Sequence, residues 1–115
     1  MKLEDAIKCI VELRNIDPEM PIAEAHCFLL LAKAGDDGLS LTEISKNVDI
    51  AMATASRYVG NLGKINRFKE EGFKLVESFE DPMERRKKII RLTGKGKALI
   101  NRITGEAHAN IFKRK

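Results

Sequence analysis

Apolar residues recur at helical spacing from the start of the chain, where Leu3, Ala6, Ile7, Ile10 and Leu13 fall three or four positions apart. Asp17-Pro18 and Met20-Pro21 then break the pattern twice, so a first helix is expected to end near Ile16. Residues 22–34 are apolar on most faces (Ile22, Ala25, Phe28, Leu29, Leu31, Ala32), which marks a second helix as central to the core. Gly35-Asp36-Asp37-Gly38 terminates it. Leu39-Ser40-Leu41 can add one edge strand, and Thr42 offers an N-cap to a helix running to about Val48.

Residues 41–62 have the layout of a helix-turn-helix. Leu41, Ile44 and Val48 point inward from its first helix, small Ser45 permits close approach, and Ile50 plugs the turn. The second helix, expected over residues 52–64 with Ala51 as a weak cap, buries Ala55, Val59 and Leu62. Ala53, Thr54, Arg57, Gly60, Asn61 and Lys64 then fall on the opposite side of the helical wheel. That face is small, polar and cationic, as a helix lying in a major groove requires: short residues for close approach and long donors for base edges.

Polar residues fill 64–71, and Gly72 closes the helix or the loop after it. Phe73, Leu75, Glu77 and Phe79 alternate with Lys74, Val76 and Ser78 as a first strand, and residues 87–92 form a second. Asp81-Pro82 starts the turn between them, and Arg85, Arg86, Lys87 and Lys88 ride on the resulting hairpin. Thr93 can cap a final helix that carries Leu99, Ile100, Ile103, Ala107 and Ile111 along one stripe.

The expected fold class is therefore mainly α with a small β-hairpin wing, in one domain of 115 residues. Charge sharpens the picture. Residues 1–50 carry five cations against ten anions, and residues 51–115 carry sixteen against seven, so a net −5 faces a net +9. Such a split suits a C-terminal half that meets a polyanion. With no tryptophan and one tyrosine, the chain lacks stacking platforms for single strands, and duplex DNA is the better partner. Cys9 and Cys27 lie in apolar helical patterns and read as reduced structural thiols. The longest apolar run, residues 27–32, is far too short for a bilayer, and a cytoplasmic location is expected.

The wing reads Glu84-Arg85-Arg86, three residues, then Ile90-Arg91-Leu92-Thr93-Gly94-Lys95-Gly96. With the order of elements before it, this resembles the MarR family of bacterial and archaeal transcription regulators, whose wing signature runs D-x-R, three residues, V-x-L-T-x-x-G. The resemblance implies a winged-helix homodimer that controls transcription, with residues 1–16 and 97–113 as dimerisation helices. It implies Arg86 as the wing arginine that enters the minor groove, supported by Glu84, and Thr54, Ser56 and Arg57 as recognition-helix contacts. Ala53, Asn61, Lys64, Arg85, Lys87 and Lys88 complete the expected DNA-binding set. The link between residues 62 and 75 is longer than usual in the family, and the chain ends sooner after its last helix. Some relatives hold aromatic effectors between their dimer and DNA-binding lobes, but no residue here identifies one.

No enzymatic constellation is present. His26 and His108 are far apart in sequence and lack a cysteine or carboxylate cluster, so neither a metal nor a cofactor is expected. A winged-helix interaction or replication-accessory module with non-specific DNA binding is the alternative reading.

Overall fold

The computed structural model describes residues 2–64 and 71–105. Five helices, α1 (Leu3–Ile16), α2 (Ile22–Ala34), α3 (Leu41–Val48), α4 (Met52–Leu62) and α5 (Gly94–Thr104), surround a small sheet of β1 (Leu39–Ser40), β2 (Val76–Glu80) and β3 (Lys88–Leu92). The sheet is antiparallel in the order β1-β3-β2, with Leu39 opposite Ile90 and Ser78 opposite the same residue from the other side.

As its all-round apolar pattern implied, α2 is central: Cys27, Phe28 and Leu31 are fully buried. They meet Ile44 of α3, Ala55, Tyr58 and Leu62 of α4, Ile90 and Leu92 of β3, and Leu99 and Ile103 of α5 in one cluster. From α1 only Leu13 joins the core, while Leu3, Ile7, Ile10 and Val11 stay exposed along its outer side. Cys9 is half-buried rather than enclosed, and Cys27 is buried.

Helix α3 starts two residues before the position expected from Thr42. The Oγ of Ser40 accepts from the Glu43 backbone N–H at 3.1 Å, and a Glu43 carboxylate oxygen accepts from the Ser40 N–H at 2.8 Å. This reciprocal capping box satisfies two orphan donors at once, an advantage Thr42 lacks. The Ser40 N–H is also the main cause holding the Glu43 carboxyl below its usual range. Ser40→Ala is expected to cost about 1 kcal/mol in a urea unfolding titration, with an unchanged m-value.

Between α3 and α4, Asp49 takes the left-handed conformation at φ 61°, and the chain turns tightly. Ser45 does more than permit close packing there: its hydroxyl donates to the Ile50 carbonyl at 2.6 Å, and its own carbonyl accepts from the Ile50 N–H at 3.1 Å. Ala51 begins α4 without a side-chain cap, as expected.

The first wing strand is shorter than the alternation of residues 73–79 suggested. Lys74 adopts φ 60°, which interrupts an extended chain, and Leu75 and Val76 are buried in succession. The segment instead folds back on the end of α4. The N–H groups of Phe73, Lys74 and Leu75 donate to the carbonyls of Asn61, Gly63 and Leu62 at 3.0, 2.8 and 2.7 Å. These bonds occupy carbonyls that a helix end leaves unpaired, and α4 stops at Leu62 rather than continuing to Lys64. Gly72 is required there, because a Cβ would collide with the Gly63 carbonyl oxygen.

Thr93 caps α5 as expected, its Oγ accepting from the Gly96 N–H at 3.1 Å. The same hydroxyl donates to the Lys74 carbonyl at 2.8 Å, and the Thr93 N–H donates to Leu75 at 3.0 Å, which ties the helix start to the wing base. The described part of α5 ends at Thr104, where Gly105 turns left-handed at φ 73°. The expected continuation of its apolar stripe through Ala107 and Ile111, and His108, lies outside the described residues.

Candidate nucleic-acid interface

Helix α4 presents Ala53 and Ser56 to solvent, with Thr54 and Arg57 half-buried beside them. Small residues on this outer side leave the helix backbone open to close approach. The Arg57 guanidinium lies 5.4 Å from the centre of the Tyr58 ring, whose body is buried against the core. Tyr58 belongs to that core although its position was not among the inward-facing ones expected, and Val59 is only half-buried. The helical wheel rotated the inner edge of α4 by one residue, and of its outer set within the helix only Ala53 is exposed, while Thr54, Arg57, Gly60 and Asn61 are half-buried.

Asn61 is placed differently from the expectation. Its side-chain amide donates to Glu24 on α2 at 3.0 Å, so the residue is turned toward the core rather than outward with Ala53 and Ser56. Lys64 is exposed but lies beyond the helix end. Glu24 itself escaped sequence reasoning. It is fully buried, and the only signal available was a carboxylate within a mostly apolar helix.

The wing turn is built from backbone bonds and one side chain. Asp81 Oδ1 accepts from the Met83 N–H at 2.8 Å, the Glu84 N–H donates to the Asp81 carbonyl at 3.2 Å, and the Lys87 N–H donates to the Glu84 carbonyl at 2.9 Å. The Asp81 N–H reaches the Lys87 carbonyl at 2.9 Å and closes the loop. Arg85, Arg86, Lys87 and Lys88 are all exposed on this frame. Glu84 supports the turn through its backbone, and no ion pair joins it to Arg86 among the described residues.

Four other cations behave otherwise. Lys74, Arg91, Lys97 and Arg102 are paired with Glu71, Glu77, Asp36 and Glu12 at 2.7, 2.9, 2.6 and 3.5 Å. Arg91 also stacks 4.4 Å from the centre of the Phe79 ring, which fixes it on the sheet. None of the four wing cations has such a partner among the described residues. Arg86 and Lys87 line a groove of about 480 Å³ together with Thr42, Glu43, Lys46 and Glu84, and Lys87 lies near enough to Glu43 to help hold its carboxyl below the usual range.

A second groove, of about 630 Å³, separates α4 from the wing, with Val59, Gly60 and Val76 below and Lys64 and Lys74 at its edges. No group of three or more histidine, cysteine or carboxylate side chains suited to a metal exists among the described residues, and no helix among them is long and apolar enough to cross a membrane.

A helix-turn-helix packed beneath a three-stranded sheet, whose last hairpin projects beyond it, defines the winged helix-turn-helix class. No known family profile and no curated protein matches the chain by sequence. Solved structures do. MepR of S. aureus in complex with DNA is 25% identical, with a TM-score of 0.68 over 96% of this chain and 88% of that one. A MepR variant bound to an oligodeoxyribonucleotide is 23% identical, with a TM-score of 0.69 over 97% and 76%. The PcaV transcriptional regulator of Streptomyces coelicolor, in complex with its natural ligand, is 20% identical, with a TM-score of 0.59 over 82% and 61%. The chain thus spans less than two thirds of PcaV. The fold is that of the MarR-family regulators, and the resemblance first carried by the wing motif extends across the described chain.

Proposed function

We propose that this chain is a sequence-specific duplex DNA-binding regulator of transcription, acting as a repressor in the cytoplasm and as a homodimer. Helix α4 enters the major groove through Ala53, Thr54, Ser56 and Arg57, and the wing reaches the flanking minor groove through Arg86. Arg85, Lys87 and Lys88 meet the phosphate backbone, and Lys64 adds charge beyond the helix end. Asn61 acts from behind the helix, through its bond to Glu24. A second copy of the chain covers the exposed Leu3, Ile7, Ile10 and Val11 side of α1.

The observation that carries this reading is the run of four consecutive cations on the wing that stand exposed and without an ion pair among the described residues, while Lys74, Arg91, Lys97 and Arg102 around the wing base and α5 are each paired with a carboxylate. Unpaired charge held on a closed turn is available to a polyanion without first breaking an internal bond. The MepR complexes support the choice of DNA as that polyanion.

The test is a titration of labelled duplexes, the protein's own promoter among them, at two salt concentrations. Binding that weakens steeply with salt and differs between sequences is the expected result. Arg57→Ala should then lose about 1–3 kcal/mol of preference for the best duplex over its variants, measured by competition. Equal binding to every duplex would favour the accessory-module alternative, and no salt-dependent binding would favour a protein partner.

A further inference from the structure

Glu24 lies in the first turn of α2 and is fully buried. One carboxylate oxygen accepts from the Asn61 amide at 3.0 Å, a bond that ties α2 to the last turn of α4. The other, Oε2, is buried without a hydrogen-bond partner among the described residues. An ionised carboxylate held in this way is costly, because one amide replaces a full hydration shell.

The charges around Glu24 pull in both directions. Burial raises its pKa, and Asp17, between α1 and α2, adds to that effect; the Asn61 amide and the positive charge of Arg57 oppose it. Arg57 and Asn61 are one turn apart on α4, so a single carboxylate on α2 acts on two neighbouring side chains of the recognition helix. Cys27, one turn along α2, also senses Glu24: its thiol is pushed up to about 11, first by burial and then by this carboxylate.

A duplex bound to α4 brings a strong negative potential to the helix that carries Arg57 and Asn61. That potential favours the neutral form of a nearby buried carboxyl, and linkage requires that a proton taken up on binding makes binding tighter as pH falls. Neutral Glu24 also ceases to attract Arg57, whose charge is then left to the DNA. We propose that Glu24 is a positioning residue for the recognition helix, coupling proton uptake at the α2–α4 junction to duplex affinity through Asn61 and Arg57. The coupling rests on the DNA-binding reading given above.

The test compares the whole chain with its Glu24→Gln and His26→Ala variants by fluorescence anisotropy at constant salt. Glutamine keeps an acceptor for Asn61 and is neutral at every pH; His26 is an exposed titratable residue two positions along α2 and serves as the control. Between about pH 8 and about pH 5.5, the affinity of the unaltered chain should rise about three- to tenfold more than that of Glu24→Gln. At the upper end of that range Glu24→Gln should bind the more tightly, and His26→Ala should keep the extra response of the unaltered chain. A purely structural role would instead weaken Glu24→Gln equally at every pH.

A second measurement needs no variant: NMR titration of the Glu24 carboxyl carbon and the Asn61 side-chain amide, with and without duplex. The two signals should titrate together, and duplex should move their common midpoint upward. Binding with equal pH responses in the two proteins, or a midpoint unmoved by duplex, overturns the coupling alone. Absence of duplex binding at every pH overturns the DNA reading and the coupling with it.

Discussion

Replacing Arg85, Arg86, Lys87 and Lys88 together by alanine is expected to weaken duplex binding about a hundredfold near physiological salt and to flatten its salt dependence. All four side chains are exposed and without ion pairs among the described residues, so their removal breaks no internal salt bridge. The wing turn should survive, because it is closed by backbone bonds and by Asp81. Each cation that meets a phosphate adds about 0.9 to the slope of log affinity against log salt, so removing Arg85, Lys87 and Lys88 should reduce that slope by about 2 to 3. Arg86 differs in kind: a side chain in the minor groove reads groove width and the A·T pattern, so its loss should also reduce discrimination in the flanks of the site. The check is a set of anisotropy titrations at four or more salt concentrations. An unchanged slope in the fourfold variant would remove the wing from the interface.

The second large effect is expected from α1. Ile7 and Ile10 are 60% and 53% exposed, in one stripe with Leu3 and Val11, and only Leu13 of this helix is in the core. Ile7→Glu with Ile10→Glu should therefore leave the fold intact and place two carboxylates in the face assigned to a second copy. Burying them unpaired would cost several kcal/mol, enough to shift a micromolar-range dimer to monomer. Light scattering after gel filtration should show the halved mass, and affinity for a two-half-site duplex should fall about a hundredfold or more, since the second half-site no longer adds its effective concentration. Binding to a single half-site should change little. A variant that remains dimeric would exclude this face as the interface.

The sequence carried most of the fold because its hydrophobic periods are long and its punctuation is strong. The double proline break after α1, the apolar run of α2 and the Thr93 cap all correspond to observed features. Misplaced details arose where tertiary bonds overrode local preference. Ser40 captures the α3 cap because Glu43 can answer it, and Lys74 leaves the strand because the segment donates to the carbonyls ending α4. The candidate site was legible to the extent that it depends on charge: the wing cations stand exposed, and Ala53 faces solvent as the wheel implied, as does Ser56, which only the resemblance had named. Asn61 could not be placed in this way. A wheel drawn for one helix does not show which neighbour covers its edge, and the partner that turns Asn61 inward is 37 residues away.

The most direct test of a two-point grip on duplex DNA is selection of bound duplexes from a random pool, followed by hydroxyl-radical footprinting of the enriched sequence. The expected result is a pseudo-palindrome whose half-sites lie about 10 base pairs, or a multiple of that, from centre to centre, with minor-groove protection in the flanks that Arg86→Ala abolishes. A pool that shows no enrichment, or a footprint without flanking protection in the unaltered protein, would contradict it.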